Sequence, residues 1–86
     1  MASCLARIQE VEPRVHAWTW IDPARAAELA AGLDAAPERL SELHGIPVGV
    51  KDIIDTAGIP TELGAAHYRG RVPGRSAACV SAIERA

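Results

Sequence analysis

The sequence predicts an α/β fold, built here from three helices and two short strands. Three observations carry that expectation. Helical spacing of apolar residues appears in residues 3–12, in 23–33 and again from 76 onward. Residues 16–21 and 46–51 are instead rich in aromatic and β-branched residues. The two patterns alternate strictly: helix, strand, helix, strand, helix.

The first helix is expected over 3–12, with Ser3 as cap, Leu5, Ile8 and Glu12 at helical spacing, and Pro13 as its stop. His16-Ala17-Trp18-Thr19-Trp20-Ile21 reads as a strand. Trp18 and Trp20 share a side by the period of two, which suits packing rather than a binding platform. Asp22-Pro23 is a strong helix start, because Asp caps and Pro is pre-set for the first helical position. Ala26, Leu29, Ala30 and Leu33 then fall at i, i+3, i+4 and i+7, giving a helix over 23–33 with one narrow apolar face. Residues 34–44, crossed by Pro37, read as a connection with one helical turn around 38–43. The second strand follows at 46–51. A Gly/Pro-punctuated loop runs from Asp55 to Gly74. Ser76 is placed to cap a last helix that carries Ala77, Val80 and Ile83 inward.

The chain has 86 residues, enough for one small domain, 1–86. Hydrophobic residues make up 49%, but alanine dominates them and there are two Trp, one Tyr and no Phe. Alanine buries little area, so the core available at roughly 25 cal/mol per Å² is marginal against chain entropy. Two strands also make a poor sheet, and the helical pattern is still running at Ala86. The chain is therefore expected to be part of a larger domain whose C-terminal remainder is its packing partner.

The net charge is −2 and the arginines are scattered. Arg69, Arg71 and Arg75 are interrupted by Gly70, Pro73 and Gly74, which reads as a solvated loop and makes a poor nucleic-acid footprint. Cys4 and Cys79 have no metal-ligand spacing, no secretion signal precedes them, and no stretch approaches the ~20 apolar residues of a membrane span. A cytoplasmic protein without membrane or nucleic-acid partners is expected.

Lys51 stands at the end of the second strand pattern, after Ile46, Val48 and Val50. By alternation those three share the core face, while Gly45, Pro47, Gly49 and Lys51 share a shallow face that a backbone or ligand can approach. Two readings fit these residues. One is a lysine that snorkels to water from a strand end. The other is a desolvated amine able to take a proton from a neighbouring hydroxyl.

The segment LHGIPVGVKDIIDTAGIPTELGA resembles the N-terminal block of the amidase signature family. Leu43, His44, Gly45, Ile46, Pro47, Lys51, Asp52, Gly58, Pro60, Thr61 and Gly64 match its pattern, and the resemblance spans residues 3–86. It implies a mixed β-sheet covered by helices, of which this chain is the N-terminal portion. It also implies hydrolysis of a carboxamide C–N bond in a small-molecule amide, with no metal or organic cofactor. In that family a Ser–cis-Ser–Lys triad does the work. Lys51 takes the lysine's place, and no other catalytic residue is expected here.

The sequence departs from the family at the serines. Ser3 and Ser76 read as caps, Ser41 as a connection residue and Ser81 as a helix-face residue; none lies in a Gly-Ser-Ser context. Both family serines are expected beyond residue 86, so the chain alone is expected to be inactive. Two alternatives stay open: a piece of the glutamine-hydrolysing subunit of a tRNA-dependent amidotransferase, or a non-catalytic remnant or interaction module.

The remaining polar candidates read as structural. His44 suits a hydrogen-bonded turn before Gly45, and His16 and His67 are isolated. Asp52 and Asp55 resemble a carboxylate pair, but with no His nearby Asp52 is expected to accept backbone N–H bonds in the loop. Thr56 and Thr61 are expected to bond within the turns around Gly58 and Pro60.

Overall fold

The computed structural model of the chain describes residues 1–39 and 41–86. They form two compact units, Met1–Pro47 and Val48–Ala86.

In the first unit, helix α1 spans Ala2–Val15 and helix α2 spans Pro23–Asp34. Ser3 lies inside α1, whose first turn is closed by the Met1 carbonyl accepting from the Cys4 and Leu5 amides. Pro13 does not end α1. Its ring removes the bond to the Gln9 carbonyl one turn back, but the helix continues through Val15. The helix stops at His16, which is left-handed at φ 49° and donates its N–H to the Glu12 carbonyl at 2.9 Å. The Glu12 carboxylate then accepts the next two main-chain donors, from Ala17 at 3.1 Å and Trp18 at 2.9 Å. Those N–H groups are thereby turned onto the chain's own side chain rather than along a strand.

Helix α2 begins as its sequence requires. Asp22 is extended, Pro23 follows in the first turn, and Asp22 Oδ1 accepts from the Arg25 N–H at 2.9 Å. Ala26, Ala30 and Leu33 are half-buried on the expected face, but Leu29 is 60% exposed. The turn expected around 38–43 includes Leu40, which lies outside the described residues.

The second unit is a long looped segment leading into helix α3, Ala78–Arg85. One 3₁₀ turn, Ala66–Tyr68, interrupts the loop. Val80 of α3, Thr61 and Pro73 are buried. Ile83, expected to face inward, is 40% exposed.

The α/β expectation is overturned: the described residues are helical and irregular, with no strand at 16–21 or 46–51. Ile46, Val48 and Val50, expected on a core face, are 52%, 50% and 37% exposed. The physical reason lies in what β-propensity measures, namely the fit of a side chain to a pleated, half-buried surface. A ladder also needs main-chain partners. The nearest approach to one pairs Gly58 N–H with the Pro73 carbonyl and Thr61 N–H with the Arg71 carbonyl, both at 3.0 Å. Neither is returned: Pro73 has no N–H, and the Arg71 N–H is spent on the Tyr68 carbonyl at 2.9 Å.

Candidate functional site: Lys51 and its polar loop

Lys51 enters the loop exposed, and among the described residues its side chain has no hydrogen bond or ion pair. It is the only lysine in the sequence. Its carbonyl accepts from the Ile54 N–H at 2.9 Å, which closes a turn immediately after it. The strand expected to carry it is absent, so the two-faced arrangement of Gly45, Pro47, Gly49 and Lys51 does not form.

Asp52, the next residue, is half-buried and accepts backbone N–H bonds, as its loop context requires. Its Oδ1 accepts from Glu62 N–H at 2.8 Å and its Oδ2 from Gly64 N–H at 3.0 Å. Its carbonyl accepts from the intervening Leu63 N–H at 3.2 Å. Both carboxylate oxygens are thus taken by amides, so Asp52 is not an ion-pair partner for Lys51.

Asp55 is held differently. The Arg71 guanidinium donates to both carboxylate oxygens, at 2.6 Å and 2.7 Å, in the planar fork that arginine presents to a carboxylate. These hydrogen bonds hold the Asp55 carboxyl below its ordinary 3.8, with partial desolvation opposing and the arginine's charge assisting. The same guanidinium reaches the Thr61 carbonyl at 3.3 Å. The Asp55 carbonyl accepts from Ala77 N–H at 2.8 Å, at the start of α3.

Three more ties complete the loop. Gly70 N–H donates to the Glu62 carboxylate at 2.7 Å. Ala57 N–H donates to Ser76 Oγ at 3.0 Å. Ser76 therefore serves the loop and not the helix, whose N-cap is Ala77 without a side-chain cap. Thr61 is 2% exposed, and its hydroxyl donates to the Ile59 carbonyl at 3.2 Å, as expected of a turn residue. An open depression of about 740 Å³ lies beside the ion pair, lined by Ile53, Ile54, Asp55, Leu63, Arg71, Arg75, Ser76, Ala77 and Cys79. Lys51 does not line it.

In the first unit His44 Nε2 donates to the Leu33 carbonyl at 3.1 Å, on the last turn of α2. Its main-chain N–H donates to the Ser41 carbonyl at 3.3 Å, the turn bond expected before Gly45. His67 packs edge-on against Tyr68, with ring centroids 5.2 Å apart. Sequence reasoning misses Arg71 and Glu62 as loop anchors. Arg71 groups with two neighbouring arginines as solvated, and nothing local marks a partner 16 positions away.

The family model described as Amidase matches residues 1–86. The chain belongs to the amidase family. Among the relatives of this amidase-family chain are three glutamyl-tRNA(Gln) amidotransferase A-subunits. That of Anaeromyxobacter sp. strain K is 45% identical over 85 residues, covering 95% of this chain and 17% of the relative. That of Nitratidesulfovibrio vulgaris strain DP4 is 42% identical over 84 residues, covering 96% and 17%. That of Acidothermus cellulolyticus is 39% identical over 85 residues, covering 95% and 17%. The amidase-family chain thus spans about a sixth of the length of these relatives. No solved structure matches it. No helix among the described residues is long and apolar enough to cross a membrane.

Proposed function

We propose that this chain supplies the lysine of an amide-hydrolysing centre of the amidase signature type, and that the lysine is Lys51. The observation that supports the reading most is the family match over the whole chain, with Lys51 in the run His44-Gly45-Ile46-Pro47 to Lys51-Asp52. In this chain the Lys51 side chain is exposed, and both Asp52 oxygens are engaged by backbone amides rather than by Lys51.

In the reaction implied by the family resemblance, a serine oxygen attacks the amide carbonyl carbon. Its proton passes through a bridging serine to the Lys51 amine. The C–N bond then breaks, the leaving nitrogen takes up a proton, and water hydrolyses the acyl ester. Ser3 and Ser81 lie in helices, while Ser41 and Ser76 accept backbone N–H bonds. The two reacting serines are therefore assigned to the part of the family domain that this chain does not span.

Among amide substrates, the names of the relatives favour glutamine, whose side-chain amide would release ammonia for transfer to a tRNA-bound glutamyl group. The test is a hybrid. Residues 1–86 replace the matched segment of the Anaeromyxobacter relative, which is assembled with its companion subunits and assayed for glutamine hydrolysis. Turnover in the hybrid and its loss with Lys51→Ala are expected. A hybrid as active with Lys51→Ala as without it would overturn the assignment.

A further inference from the structure

We propose that Asp52 is the positioning residue for Lys51, an inference that rests on the proton-transfer role of Lys51 given above. The basis is a convergence of donors. The N–H groups of three successive residues, Glu62, Leu63 and Gly64, all end on Asp52: two on its carboxylate and the middle one on its carbonyl. The two outer amides meet the carboxylate and the middle one the main-chain carbonyl, so the turn is tied to both the side chain and the backbone of Asp52.

The turn that presents these amides is strained. Leu63 is left-handed at φ 57° and Gly64 follows at φ 65°. The left-handed region disfavours a residue with a Cβ by roughly 1–2 kcal/mol, and persists where the surroundings over-determine it. Asp52 supplies that determination, since its carboxylate and carbonyl engage the three amides together. Lys51 is thereby bracketed. Its own carbonyl is fixed by the Ile54 N–H, and the residue after it is fixed at three points to the 62–64 turn. The direction in which the Lys51 side chain leaves the backbone is set by this bracket, while the side chain itself stays exposed and unpaired among the described residues. Asp52 touches no reacting atom; it acts through Lys51.

Two measurements test this, on Asp52→Asn and Asp52→Ala beside Lys51→Ala. In the 86-residue chain, nuclear magnetic resonance reads the single lysine directly. Asp52→Asn keeps the shape but aims an amide donor at a backbone donor. It is expected to lower the hydrogen-exchange protection of Gly64 at least tenfold and to lower the Lys51 backbone order parameter. Protection of Ala77 and Gly58, bonded to Asp55 and Pro73, is expected to persist and to show that the loop is intact. An unchanged Lys51 order parameter would overturn the proposal. In the hybrid enzyme, Asp52→Ala is expected to lower kcat about a hundredfold with the KM for glutamine held within about twofold, the size of a small misplacement of a reacting group. A normal kcat in that variant, with Lys51→Ala dead, removes the positioning role and leaves the function of Lys51 standing. Turnover that survives Lys51→Ala instead removes the reading on which the inference rests.

Discussion

The Arg71 guanidinium grips both carboxylate oxygens of Asp55 across 16 positions of chain, with side chains 36% and 35% exposed. The pair closes the middle of a loop whose ends are closed by Asp52 and Ser76. Partial exposure keeps the pair open to screening by salt, and its bidentate geometry sets it apart from an ordinary surface contact.

The first prediction concerns pH. The Asp55 carboxyl in the folded loop lies below its ordinary 3.8. A depressed carboxyl stabilises the fold fully above the unfolded value and loses that contribution as pH falls through the folded value. Protection of the Ala77 amide, bonded to the Asp55 carbonyl, is therefore expected to hold at about pH 5 and to fall as the pH drops below 3.8. Asp55→Asn removes the pH dependence. A carboxyl carbon of Asp55 that titrates at or above 3.8 would contradict the assignment.

Arg71→Lys is not a conservative change at this site. Lysine keeps the charge but lacks the planar fork that meets both Asp55 oxygens and reaches the Thr61 carbonyl. Hydrogen exchange at Thr61 and Gly58 is expected to speed up in Arg71→Lys, and further in Arg71→Ala. Equal protection in Arg71→Lys and the parent would show that charge alone suffices.

Val80 is 4% exposed, whereas Ile83 on the same helix is 40% exposed. Val80→Ala removes two buried methyl groups, a loss of roughly 1.5 kcal/mol at about 0.8 per buried group. Exchange protection in α3 is expected to fall about tenfold, and less in Ile83→Ala despite the larger truncation. A greater loss from Ile83→Ala would place the apolar contact of α3 elsewhere.

Helix α2 rests on its cap. Asp22→Ala removes the acceptor of the Arg25 N–H, at a cost of about 1 kcal/mol. Far-ultraviolet circular dichroism is expected to show lost helix, and Asp22→Ser is expected to restore most of it. No change in ellipticity in Asp22→Ala would mean that Pro23 alone starts the helix.

The features legible in the sequence are those whose cause is local. Asp22-Pro23 announces α2, and the loop after Asp55 is marked by its glycines and prolines. Asp52 is recognisable as a loop acceptor, and Lys51 is singled out by the motif around it. The strands expected at 16–21 and 46–51 do not form because their residue types report a preference for a pleated surface, while pairing depends on a neighbour. Pro13 misleads as a stop because a proline close to a helix end disturbs one bond and leaves a short tail helical. Ser76 beside α3 has the look of a cap, yet its hydroxyl is claimed by Ala57, 19 positions earlier. The Asp55–Arg71 pair and the Glu62 tie to Gly70 are hidden for the same reason: each depends on how the chain returns.

The ties of the loop have one further property. They link residues 8 to 22 positions apart, from Glu62–Gly70 to Asp55–Ala77, and they are polar. Closing so short a circuit costs little chain entropy and waits for no distant apolar surface. The ties that bracket the segment around Lys51 therefore draw on no residue after Ala77.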